Sequence, residues 1–183
     1  MTSPYNLGLA KTNDIEQIIN LLEQNLRNNL SEEKKMQGFL TWVYSYELLL
    51  KLHQQAPSVV VKQDEIVVGY ALTVLRQSKS FYDNINTMVK NVEHLKYADK
   101  IIGDYKYYIM GQICVDENHR GSGIFQLLYD GHKKYYQQQF ELLVTEISTS
   151  NHRSIKAHSN YGFQTINTYK DNLDEWNVVV LPL

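Results

Sequence analysis

The spacing of hydrophobic and polar positions changes repeatedly along the chain, and each change marks a predicted element. Residues 7–10, Leu-Gly-Leu-Ala, read as a short strand. Asn13, with Glu16 three places on, has the form of a helix cap and capping box, and Ile15, Ile18, Ile19, Leu22 and Leu26 follow at helical spacing. A second helix is predicted from Ser45 through Leu48, Leu49 and Leu52. It stops at Ala56, because the residue before Pro57 disfavours helical backbone. Val59-Val60-Val61 and the run from Ile66 to Leu72 are β-rich and joined by Gln63-Asp64-Glu65, which predicts an antiparallel hairpin. Residues 81–95 are polar and only partly periodic, and read as a short helix or a mobile loop.

The second half is plainer. Residues 107–115 form a β-branched and aromatic run, followed by Arg120-Gly121-Ser122-Gly123 and then by Ile124, Leu128 and Tyr135 on one helical face, so the order is strand, glycine loop, helix. Residues 140–147 read as a buried strand, 151–160 as a short helix closed by Gly162, and 163–169 and 176–181 as a terminal hairpin. No repeat, Pro-rich linker or low-complexity tract divides this mixed α/β order, so one domain is expected over residues 1–183.

Composition narrows the function classes. The chain has 18 basic and 20 acidic residues, a net charge of −2, and no Lys/Arg block, so it lacks the footprint of a nucleic-acid binder. The N-terminus has no apolar core of a signal peptide, and no apolar run approaches the roughly 18 residues that span a bilayer. A soluble, unsecreted, cytoplasmic protein with no membrane partner is expected. Cys114 is the only cysteine, so no intrachain disulfide or CxxC thiolate site can form, and the histidines lack HExxH spacing, so no metal is expected.

A glycine loop between a strand and a helix presents free backbone N–H groups at the positive end of the helix dipole, a ready phosphate site. Gly121-Ser122-Gly123 fits that role, and equally fits a tight turn that needs glycine for its backbone alone. No GxxxxGK[ST] occurs, the third glycine of GxGxxG is missing, and GxSxG is absent, which leaves Ser122 an exposed polar turn residue.

Taken in order, the loop HRGSGIFQLL, the segment TEISTSNHRSIKAH and the Gly162-Phe163 that follows resemble the GNAT superfamily of acyl-CoA-dependent N-acyltransferases, most strongly over residues 107–170. The resemblance implies a mixed sheet splayed between two central parallel strands and flanked by helices, with the pantetheine arm of acetyl-CoA lying in the cleft as a pseudo-strand. It places Ile113, Cys114 and Val115 along that arm and Gly121, Ser122, Gly123, Ile124, Phe125 and Gln126 around the pyrophosphate. Asn151 would hydrogen-bond the arm. Phe125 departs from the small residue of the family motif, and is expected to pack in the core while its amide still binds the anion.

The resemblance also implies two reacting groups. An alkylamine with a pKa near 10.4 costs roughly 4 to 5 kcal/mol to deprotonate at pH 7, so a base helps. Glu146 is the candidate, twelve positions before His158, the base-to-acid separation of members resembling ribosomal-protein alanine acetyltransferases. The alternative is a strand glutamate satisfied by a neighbouring Lys, Arg or water. His158 stands where the family usually has the tyrosine that protonates the departing thiolate; it is the candidate acid or, alternatively, a histidine that satisfies its own helix, with Tyr161 as a fallback donor. Cys114 reads as a small buried strand residue, and a backbone N–H near Cys114 to Val115 would polarise the donor carbonyl. Phe39, Trp42, Tyr44 and Phe81 are either an acceptor pocket or ordinary core. The expected activity is acetyl transfer from acetyl-CoA to the primary amine of a small molecule or peptide by direct attack. The alternative is a non-catalytic acyl-CoA sensor, and a homodimer stays open.

Overall fold

The computed structural model describes residues 4–183. In chain order its elements are β1 (Tyr5–Leu9), α1 (Ile15–Asn25), α2 (Glu32–Lys35), α3 (Tyr46–Gln55), β2 (Val59–Gln63), β3 (Ile66–Leu75), α4 (Asp83–Val92), β4 (Lys96–Tyr97), β5 (Lys100–Ile101), β6 (Tyr107–Val115), α5 (Ile124–Tyr136), β7 (Leu142–Ser148), α6 (His152–Tyr161), β8 (Gln164–Lys170) and β9 (Glu175–Pro182). Seven strands make one sheet in the order β1-β2-β3-β6-β7-β9-β8, and β4 and β5 pair apart from it. Every neighbouring pair in the large sheet is antiparallel except β6 and β7, which run parallel. This is the mixed sheet with a central parallel pair that the sequence led us to expect.

Both faces are covered. Val60, Tyr70, Leu72, Val74, Ile109 and Val144 point to the face packed by α1, α3 and α4, whereas Val59, Val61, Val68, Ala71 and Leu143 meet Ile124, Leu128, Tyr129 and Tyr136 of α5. That alternation is why β3 is buried from Val67 to Leu75 and reads as an unbroken apolar run. α5 lies close enough to β2 that a Cβ at Gly131 would come within 2.5 Å of Val59 Cγ1.

Local details correct the sequence reading. The start of α1 is closed by Asp14, whose Oδ2 accepts the Lys11 N–H at 2.8 Å and whose Oδ1 meets Lys62 Nζ at 2.6 Å, and not by Asn13. Residues 81–95 hold a true helix, since Ile85, Met88, Val89 and Val92 are buried at i, i+3, i+4 and i+7. On α5 the core residue is Tyr136, with Tyr135 partly exposed. Ser45 caps α3 by accepting the Leu48 N–H at 3.2 Å, as predicted. Among the described residues no helix is long and apolar enough to cross a membrane.

Candidate active site

The parallel pair is a fork. β6 and β7 are paired only at Tyr107/Leu142, Tyr108/Leu143 and Ile109/Val144, although the strands continue to Val115 and Ser148. Two features end the ladder. Thr145 Oγ1 donates to Met110 O at 2.8 Å, so a side chain takes the carbonyl just past the last rung. β6 also carries an extra residue against β3, between the pairs Ala71/Ile113 and Thr73/Met110, and this bulge bends it away. Gly111 is required there: a Cβ would sit 2.7 Å from Val74 Cγ2 and 2.9 Å from the Tyr44 hydroxyl.

Beyond the fork, backbone groups face a gap. The Asp116 N–H bonds Val68 O at 2.9 Å, so by strand alternation Cys114 and Asp116 bond towards β3 while Ile113 and Val115 point the other way. Arg120 Nε takes Val115 O at 3.3 Å. The Ile113 N–H and C=O and the Val115 N–H are left at the cleft edge, where an amide chain can satisfy them. Of the backbone groups near Cys114 to Val115, those of Ile113 and Val115 face the gap, because Cys114 is turned into the ladder with Tyr70. Burial pushes the Cys114 thiol up to about 12, as befits an inert strand residue.

The gap opens into two adjoining cavities. The first, about 270 Å³, is walled by Ile113, Cys114, Val115, Gly121, Gly123, Ile124, Phe125 and Asn151, together with residues 37–40 from the far side. Eight of the ten expected cofactor residues thus share one cavity, and the exposed side chains of Ser122 and Gln126 stand outside its wall. Gly121 and Gly123 have φ of +81° and +86°, a backbone that side chains resist, and no atom lies within 4 Å of where either Cβ would be. Both readings of the loop hold together: the turn needs glycine, and the space before it is open. The Leu127 N–H is the first of α5 to find a helix carbonyl, Gly123 O at 3.0 Å, so the N–H groups of Ile124, Phe125 and Gln126 are orphan donors at the positive helix end. These groups fit a pyrophosphate and an amide arm.

Asn151 is largely committed to the protein itself. Its Oδ1 accepts the Ser154 N–H, capping α6, and its Nδ2 donates to Phe39 O at 3.0 Å, which ties residues 37–40 to the cleft. Arg120, which sequence reasoning used only as the start of a motif, knits the same wall by donating to Asn25 Oδ1 at 2.7 Å and to Gln37 O at 3.3 Å. Phe125 both lines the cavity and stacks edge-on against Tyr129 and His158, at 5.1 and 5.0 Å between ring centres.

The second cavity lies between the splayed strands and holds Gln112, Thr145, Glu146, Ser148, Trp42 and Trp176. Glu146 also faces an outer hollow with Trp42, Met88, Tyr169 and Asp171, in which no Lys or Arg stands. Its partner is Tyr169, whose hydroxyl donates to Oε1 at 2.7 Å. Burial raises the Glu146 carboxyl to about 7, the Tyr169 hydrogen bond pulling it back and the charge of Asp171 adding to the rise. Of the four aromatics, Phe39 lines both cavities, Trp42 lines the second cavity and the hollow, Tyr44 is buried with its hydroxyl on Gly111 O, and Phe81 is exposed away from all of these.

His158 reaches the second cavity with only 1% of its surface exposed. Its Nδ1 lies 2.8 Å from Ser154 O, which can only accept, so Nδ1 carries the proton and Nε2 accepts from the Tyr129 hydroxyl at 2.6 Å. Burial lowers its pKa to about 4, so the ring is neutral at pH 7. On this geometry both ring nitrogens of His158 are engaged within the protein, and no N–H is left to aim at a ligand. Tyr161 donates to Asp130 Oδ1 at 2.7 Å and lines neither cavity.

The sequence profile of the Acetyltransferase (GNAT) family matches residues 15–163. The chain belongs to the GNAT acetyltransferase family. Solved GNAT-like structures superpose over nearly the whole chain. They include the ribosomal-protein-S18-alanine N-acetyltransferase from Escherichia coli (11% identity, TM-score 0.66, 97% of this chain and 93% of that one). Arabidopsis thaliana Naa50 in complex with the bisubstrate analogue CoA-Ac-MVNAL also matches (14%, 0.65, 99% and 100%), as does yncA, a putative acetyltransferase from Salmonella typhimurium with its cofactor acetyl-CoA (14%, 0.63, 99% and 95%). No curated protein sequence matches the chain. Among the described residues no group of His, Cys, Asp and Glu could hold a metal ion.

Proposed function

We propose that this GNAT protein moves an acetyl group from acetyl-CoA to a primary amine by direct attack, with Glu146 as the base. The observation that carries this reading is the place of Glu146: a half-buried carboxyl with a pKa raised to about 7, standing between the cavity within the fork and a hollow open to solvent. A base poised near neutral pH is matched to taking a proton from an ammonium group as it enters. The hollow has Asp171 and no Lys or Arg on its wall, so it suits a cationic amine, whether of a small molecule or of a peptide.

Bound acetyl-CoA supplies an activated thioester. The chain supplies the rest: orphan N–H groups at Ile124 to Gln126 for the pyrophosphate, the free edge of Ile113 and Val115 for the arm and the thioester carbonyl, and Glu146 for the amine proton. Relatives of this fold bound to acetyl-CoA and to a bisubstrate analogue support that assignment. The test is acetyl-CoA binding together with CoA release across a panel of amines. Amine-dependent release is expected; tight binding with no release for any amine would contradict catalysis and leave the acyl-CoA sensor.

A further inference from the structure

Resting on that reading, we infer that Ser154 gives the hydrogen bond that stabilises the departing CoA thiolate, and that His158 is a positioning residue acting through it.

Five residues line both the cofactor cavity and the cavity that holds Glu146: Phe39, Leu40, Ile113, Asn151 and Ser154. The reacting thioester has to sit at this neck, because its arm comes from one cavity and the amine from the other. Ser154 holds the only hydroxyl there. Its N–H is spent on Asn151 Oδ1 and its C=O on His158 Nδ1. Ser154 Oγ lies 3.3 Å from the same Nδ1. Since Nδ1 must carry its proton to bond the Ser154 carbonyl, Oγ meets it as an acceptor, and the serine's own O–H is left to point into the neck. Tyr129 holds this tautomer in place from Nε2. The family's usual tyrosine at position 158 would reach the cleft directly; here a neutral histidine orients a shorter donor one turn earlier on the same helix face.

Glu146 passes the proton of the entering ammonium to solvent through the outer hollow; the amine nitrogen then forms its bond to the acetyl carbon, the C–S bond breaks with its electron pair going to sulfur, and the nitrogen's remaining surplus proton goes to Glu146. Ser154 keeps its proton. It donates a hydrogen bond to the thiolate, which takes a proton from solvent on release.

Threonine and valine have nearly the same shape, so Ser154→Thr against Ser154→Val reads the hydroxyl alone. A charged hydrogen bond predicts roughly a 10- to 100-fold lower kcat for the Val variant than for the Thr variant, with KM for acetyl-CoA within about twofold. The readout that needs no turnover is CoA affinity at about pH 9, above the usual thiol pKa of about 8.5. The Val variant should bind CoA roughly 10-fold more weakly than the Thr variant, while both bind desulfo-CoA equally. His158→Phe should cost about as much kcat as Ser154→Val, with no further loss in the double variant, and Tyr129→Phe serves in its place should His158→Phe not fold. Thr and Val variants alike in CoA affinity and in kcat would overturn the role of Ser154. Failure of the native protein to bind CoA would instead overturn the acyl-CoA reading, and the role of Ser154 with it.

Discussion

The two walls of the cleft are built by different means. The cofactor wall is backbone: the open edge of β6, two glycines with positive φ, and the first amides of α5, all within residues 113–126. The proposed acceptor wall is side chains brought from far apart: Trp42 before α3, Met88 on α4, Glu146 on β7, Tyr169 on β8 and Asp171 in the β8–β9 turn. Backbone recognition tolerates change at neighbouring side chains, whereas an acceptor site made of side chains can change its substrate with one substitution.

That contrast is broken most sharply at Glu146. Glu146→Gln should lower turnover with a strongly basic amine by about 10²- to 10⁴-fold while moving acetyl-CoA affinity by less than about twofold, as read by steady-state kinetics beside calorimetry. A parallel loss of affinity would mean that the two walls are not separable. Gly123→Val tests the opposite wall. Its φ of +86° strains a β-branched residue by about 1–3 kcal/mol, so acetyl-CoA affinity should fall roughly 10- to 100-fold in a folded protein that still holds its acceptor side. Unchanged calorimetric affinity would remove the loop from the site.

Stability against pH tests the acceptor side separately, because Glu146 and two buried histidines pull in opposite directions. His158 and His132 are buried and neutral, with pKa lowered to about 4 and about 3, so the unfolded chain takes up two protons that the folded one refuses as pH falls below the usual 6.5. Glu146, raised from 4.5 to about 7, does the reverse: its contribution is present below 4.5 and is lost as pH rises towards 7. Between pH 4.5 and 6.5 these three groups leave a net of about one proton, or roughly 1.4 kcal/mol per pH unit, and Glu146→Gln should raise that to about two protons. Urea unfolding across this range reads the slope; equal slopes for native and Gln proteins would show that Glu146 is not desolvated. The smallest effect is expected from Tyr169→Phe. Loss of its hydrogen bond removes an influence that holds the Glu146 carboxyl down, so the acid limb of the rate profile should move to higher pH with the maximal rate little changed.

The same contrast separates what the sequence disclosed from what it did not. β6, the glycine loop, α5 and α6 come in one stretch of the chain, and their residue order alone announced them, whereas the cap that Asn151 makes on α6 did not show. Helix α4 was obscured because Asn84, Asn86 and Asn91 dilute a periodicity that Ile85, Met88, Val89 and Val92 carry in full. The N-cap of α1 was misplaced by one residue because Asp14 is held by Lys62, from another strand. The surroundings of His158 could not be read locally, since the hydroxyl that occupies its Nε2 belongs to Tyr129, 29 residues away. Ser154 drew no notice for the same reason: its freedom to donate depends on which histidine nitrogen carries the proton. Of residues 37–40 only Phe39 drew notice, as an aromatic; the segment is tied to the site by hydrogen bonds from Asn151, Arg120 and Arg153 that no local pattern announces.

The central claim is that a single half-buried carboxylate, set apart from the cofactor wall, takes the amine proton. Its most direct test is the pH dependence of amine-dependent CoA release by the native protein, measured as kcat with a saturating acceptor and compared with Glu146→Gln. The account predicts activity that rises through about pH 7 as Glu146 ionises, and a residual Gln rate with no inflection there. The same inflection persisting in the Gln variant would contradict it and assign the proton to another group.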